Sequence, residues 1–185
     1  GALADVANVF SVDPQPNEEK LYIPYWALES SDLLDFLVGK VEGPRETAFT
    51  DKIFELKVKA HEAYPFLGVE KTSITVDTPL PFSLNKLWYD LIDFEVATFE
   101  GPLRDQSTKQ DAGDPASLTA PRYKPHAMGA QGPFLNQQAH GIRRQLNLLR
   151  SRLLDRRYDF LLHPGPWEPT LDGAIANDLD KLLAG

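Results

Sequence analysis

The chain has 185 residues, a formal net charge of −8 at pH 7 and no cysteine, which excludes disulfides, thiolate metal sites and a cysteine nucleophile. Its 42% hydrophobic and 25% charged residues are ordinary globular values and supply enough apolar side chains for a sizeable core. The acidic balance repels nucleic acid on average, no apolar run approaches the roughly 20 residues that span a bilayer, and the first residues lack the order of a signal peptide. The expectation is a cytoplasmic protein with no membrane contact.

Residues 6–13 read as a short strand before the turn-rich PQPNEEK. Residues 21–26 are extended, because Pro24 biases Ile23 away from helical angles. Ser30 or Ser31 then caps a helix with Asp32 in its first turn and Leu33, Leu34, Leu37 and Val38 on its apolar face. Gly39 and Gly43 end it. Pro44 suits the start of a second helix over residues 45–64, whose Phe49, Ile53, Leu56 and Ala60 form one stripe. Lys52, Glu55, Lys57 and Lys59 fall mostly off that stripe, and Pro65 stops the helix.

Residues 73–77 form a second extended piece, and Ser83 caps a helix to about residue 99. There Leu84, Leu87, Leu91 and Phe94 share a face with Trp88 beside them. Pro, Gly, Ser, Asp and Gln dominate 101–132, which reads as one long irregular loop. Residues 134–154 return to helix with Ile142, Leu146, Leu149 and Leu153 as the stripe. A short segment at 158–162 and a last helix over 171–183 follow. The pattern predicts a single, mainly α domain: a bundle of four to five helices with short peripheral strands.

Chemical motifs are scarce. The phosphate-binding pattern GxxxxGK[ST] is absent, since Gly39-Lys40 is followed by Val41 and Leu34 stands where the first glycine belongs. His61-Glu62 opens an HExxH pattern that Pro65 closes without a second histidine. His126, His140 and His163 are scattered, and no GxSxG elbow occurs. Asp90, Asp93 and Glu95, and Asp172, Asp178 and Asp180, read as solvated faces rather than acid–base pairs. No cofactor, metal or catalytic residue is expected.

One cluster stands out. RRQLNLLRSRLLDRR concentrates six arginines in an acidic chain, and Arg143, Arg150 and Arg157 are heptad-spaced, so on a continuous helix they project to nearly one side. They are candidates for an interaction surface towards a protein or DNA, with pairing to internal acids as the alternative.

Four phrases, LYIPYWALESSDLLDFL, SITVDTPLPFSLNKLWYDL, RRQLNLLRSRLLDRRYDFLL and AIANDLDKLLAG, follow one another in an order that resembles bacterial HerA-type ATPases of the FtsK/HerA superfamily. The resemblance covers the chain outside 101–132. It implies a helical segment inserted in a RecA-like core between the Walker A and Walker B strands of a hexameric DNA translocase. Both Walker motifs and an arginine finger are missing here, so no catalytic residue transfers. Position does: 24–28 would leave the core, with Tyr25 and Trp26 as a buried joint, and 178–183 would return to it. The implied partners are the parent motor, its hexamer neighbours and an associated nuclease, with weak DNA contact. Two alternatives stay open: a free-standing helical protein-binding module, and a carboxylate-dependent hydrolase acting through the long loop.

Overall fold

The structure, a computed structural model, describes residues 10–11, 19–66, 68–129 and 132–175. Strands β1 (Phe10–Ser11) and β2 (Glu19–Lys20) pair in parallel. The rest of the strand expected over 6–13 lies outside the described residues. After a single 3-10 turn at Tyr25–Ala27 come the helices α1 (Ser30–Val38), α2 (Pro44–Ala63) and α3 (Leu84–Val96). Strands β3 (Thr98–Glu100), β4 (Gln106–Ser107), β5 (Lys109–Asp111), β6 (Arg122–Tyr123) and β7 (Phe134–Leu135) separate α3 from α4 (Arg143–Leu153), and α5 (Asp159–Leu162) is a single turn. Among the described residues the architecture is therefore five helices with small, largely antiparallel sheets. The mainly helical expectation holds at that level, but the molecule is not a clean bundle.

The apolar stripes drive the packing. α3 lies against both α2 and α4, and α4 also meets α1. Leu33, Leu34 and Leu37, Phe49 and Ile53, Leu87 and Leu91, and Ile142, Leu146, Leu149 and Leu153 join in one core cluster. Tyr25 and Trp26 are buried in it. The Tyr25 hydroxyl donates to the Phe82 carbonyl at 2.5 Å, and the Trp26 indole to the Trp167 carbonyl at 3.0 Å. Burial, with the Glu168 charge adding to it, pushes the Tyr25 phenol far above its ordinary range. Trp88 is tied to the Leu146 carbonyl in the same way at 3.1 Å, locking α3 to α4.

Five expectations are corrected. The start of α1 is capped from afar: the Asp77 carboxylate accepts from the Ser30 amide at 2.8 Å, while neither Ser30 nor Ser31 caps it through its own side chain. Residues 73–77 are not a strand but the end of a 3-10 turn at Lys71–Ser73 and a bend that carries Asp77 to that site. The segment 101–132 is not one irregular loop. Its β4 extends the β4-β3-β7 sheet, and β5 and β6 form a hairpin tightened by turns in which Asp111 and Asp114 side chains accept from the Gly113 and Ala116 amides. Strands of two or three residues leave no readable period. The helix expected from 134 begins only at Arg143, because Phe134 and Leu135 pair with β3 and Asn136 opens a turn by accepting from the Gln138 amide. Finally, 171–175 are turn and bridge rather than helix: Ile175 pairs with Pro169, and Gly173 (φ +89°) sits where a Cβ would meet that of Ala60 at 2.3 Å. The remainder of that helix, Asp178 and Asp180 included, lies outside the described residues.

Candidate functional site

A groove of about 770 Å³ lies between α2 and α3. Its floor is Ala48 and Leu91, and one end is closed by Phe94 stacked on His140 with ring centroids 5.2 Å apart. Phe94 was expected on the buried face of α3, but it opens onto the groove and stays 37% exposed. Carboxylates line the walls. Glu55 accepts from Lys52 and Lys59 at 2.5 Å, and these hydrogen bonds hold its pKa below the usual range. Asp90 pairs with Lys86. Asp51 has no partner among the described residues.

The groove continues into a smaller hollow of about 370 Å³ that shares Lys52, Asp90 and Phe94 and reaches the strands. There the Tyr123 hydroxyl donates to Asp93 at 2.5 Å and Lys109 donates to the same carboxylate at 2.8 Å. Burial, helped by that bond to Asp93, pushes the Tyr123 phenol up to about 12, so it remains a proton holder at neutral pH. Glu55, Asp90 and Asp93 are thus each held by lysine, and Asp51 is the acid of the groove left to solvent. No group of three or more His, Asp or Glu side chains among the described residues could hold a metal ion, and none of their helices is long and apolar enough to cross a membrane.

The chain matches no family model, and no curated protein matches it.

The three heptad-spaced arginines do not form one free surface. Arg143 donates through Nη2 to the Glu95 carbonyl at 2.7 Å, closing the end of α3. Arg150 donates through Nε to the Leu118 carbonyl at 2.8 Å and lies over the Trp88 ring. Arg157 lies beyond the end of α4, in a 3-10 turn, and forks onto Asp155. Two of the three bind backbone carbonyls, and of the three only Arg157 pairs with an acid among the described residues. Arg152 covers the Phe36 ring at 4.9 Å, which leaves Arg144 and Arg156 as the exposed cations without a partner among the described residues of this cluster. Replacing Arg143, Arg150 and Arg157 together by Gln should lower the melting temperature and leave DNA affinity and its salt dependence unchanged. Loss of affinity and salt slope at unchanged stability, read by fluorescence anisotropy and thermal melting, would reverse that assignment.

Two charged residues that matter most were not singled out as special by the sequence. Glu95, expected on a solvated face, is 2% exposed, and its carboxylate accepts from the amides of His140 (2.5 Å), Gly141 (3.0 Å) and Ile142 (3.1 Å). It fills the amino-terminal end of α4, where unpaired amides and the helix dipole favour an anion. Its spacing from Leu84, Leu87 and Leu91 is the signal that could have placed it inside.

Lys57, expected off the stripe, is also 2% exposed and donates to the carbonyls of Val76 (2.6 Å) and Thr78 (2.7 Å), fixing the bend that presents Asp77 to α1. Burial lowers its pKa to about 8 against 10.5, with Asp77 opposing. The unfolded chain therefore keeps a proton that the folded chain releases as pH rises from about 8 to 10.5. The burial penalty is full below that window and relieved above it. Wild-type stability should rise relative to Lys57→Met across the window, by as much as about 3 kcal/mol, in urea titrations at successive pH values. A constant difference between the two proteins would contradict this.

His163 joins the end of α4 to the following turn, with Nδ1 at 2.8 Å from Glu168 and Nε2 at 3.1 Å from the Leu153 carbonyl. Burial opposes its charge, but the Glu168 carboxylate and that carbonyl outweigh it and raise the pKa.

Proposed function

We propose that this chain is a non-catalytic binding module whose working surface is the groove between α2 and α3. The observation that carries the reading is the groove itself: an apolar floor open to solvent, with an exposed aromatic at one end and walls whose acids Glu55 and Asp90 are tied to lysines. Such a surface suits a partner, and its lysines are engaged by Glu55 and Asp90 rather than set beside a nucleophile. The sequence also has no phosphate loop, so the isolated chain is expected to release no phosphate from ATP above a buffer blank. Phosphate release that disappears on substituting a residue of this chain would overturn the non-catalytic reading.

The setting we favour is an insertion in a HerA-type DNA-translocating motor, supported by the order of the four phrases quoted above. In that setting the groove faces a neighbouring subunit or an associated nuclease, and the joint at Tyr25 and Trp26 anchors the module to the motor core. A free-standing helical binding module is the second reading, and the same groove supports it. The open reading frame around this sequence separates the two. GxxxxGK[ST] upstream and an acidic strand end downstream in one frame would place the module inside a motor; a frame without them would leave the free-standing reading.

A further inference from the structure

We infer that the occupant of the α2/α3 groove is a basic, arginine-bearing amphipathic segment of a partner protein. The inference rests on reading the groove as a binding surface and adds the chemistry of what it holds. The floor of Ala48 and Leu91 takes apolar side chains. The walls contribute three carboxylates, Asp51, Glu55 and Asp90, of which Glu55 and Asp90 are balanced by lysines and Asp51 is not. The two paired acids are bridged by single-point lysine ammoniums, Lys52 and Lys59 on Glu55 and Lys86 on Asp90. A guanidinium presents a planar fork to a carboxylate that these ammoniums cannot, so an arginine can share or replace them. Asp51, exposed and unpartnered among the described residues, needs no such exchange.

The aromatic end points the same way. The half-open Phe94 ring, backed by His140 at 5.2 Å, offers a face within the same groove as Asp51 and Asp90. A ring face beside carboxylates is the pairing that receives a guanidinium by cation–π stacking and charge together. The whole chain carries −8, so a basic segment is also drawn towards it before contact, whereas an acidic one is repelled.

The test uses the isotope-labelled chain and three synthetic amphipathic peptides that share their leucines and carry arginine, glutamine or glutamate between them. Amide shifts locate the peptide and titration gives the affinity. The arginine peptide should shift the amides of residues 44–55 and 90–94, and its affinity should fall as salt rises. Asp51→Asn should weaken it about threefold and Phe94→Ala about fivefold. Asp51 is exposed, so Asp51→Asn should keep the wild-type melting temperature; Phe94→Ala loses its stack on His140, and its unperturbed amide spectrum away from the groove shows that it is folded during the titration. Equal binding of the glutamine peptide in the groove, or unchanged affinity in both variants, would overturn the basic preference while leaving the groove a binding surface. Shifts confined to other elements, or no binding by any peptide, would remove both.

Discussion

Glu95→Ala should destabilise the fold by about 3–5 kcal/mol, the range for removing one side of a buried charged contact. The substitution strips an acceptor from three amides at once, those of His140, Gly141 and Ile142, at the start of a helix whose Ile142, Leu146, Leu149 and Leu153 are all core. The buried Ile142 amide left without a partner costs about 1–3 kcal/mol, while water can reach the half-buried His140 and Gly141 amides and recover part of their loss. Glu95→Gln keeps one acceptor oxygen but not the charge that complements the helix end, so a smaller loss of about 1–2 kcal/mol is expected. Denaturant titration of the three proteins checks the order. If Ala and Gln both cost below about 0.5 kcal/mol, the usual surface value, Glu95 does not hold α4.

Trp26→Ala should cost about 3–5 kcal/mol, the range for truncating a large core aromatic. The ring is 7% exposed inside the main cluster, and its indole nitrogen is the tether to Trp167. Losing it leaves a void between the 3-10 turn and the core, and leaves the Trp167 carbonyl without this donor. Trp26→Phe should restore most of the packing but not the hydrogen bond, returning all but about 1–2 kcal/mol. A loss below about 0.5 kcal/mol for Trp26→Ala would place the ring outside the core and reopen a binding role for the aromatic stretch.

The helices were legible where a stripe was long enough to show its period. α1, α2 and the first three turns of α3 follow their apolar stripes, and the α4 stripe was read correctly although its start was not. What the sequence hides is contact over distance. The cap of α1 is Asp77, 47 residues from Ser30, and the cap of α4 is Glu95, more than 40 residues from His140. No local pattern marks either acid as a cap. Lys57 was misplaced for a related reason: its stem follows Ile53 into the core, while its charge is satisfied by carbonyls of a different segment. The strands between α3 and α4 are too short for alternation to appear and are held by Asp turns and cross-strand pairing.

The groove was not legible at all. Its lining joins positions off the stripe of α2 to Leu91 and Phe94 from the α3 stripe, and these become one surface only when the two helices pack. The arginine cluster drew attention in its place. Its spacing assumed a helix running through Arg157, and α4 ends at Leu153.

The absence of cysteine from the chain allows the binding role of the groove to be tested by one cross-linking measurement. Thr47→Cys places a single thiol on the exposed groove wall of α2, and Ser151→Cys places one on the exposed outer side of α4. Each is labelled with a photoactivated benzophenone and irradiated in extract of the source cells. The groove position should give a discrete adduct that excess unlabelled wild type suppresses and excess Phe94→Ala suppresses less well, with none from Ser151→Cys. An adduct from Ser151→Cys alone, or equal suppression by wild type and Phe94→Ala, would contradict the assignment of the groove as the working surface.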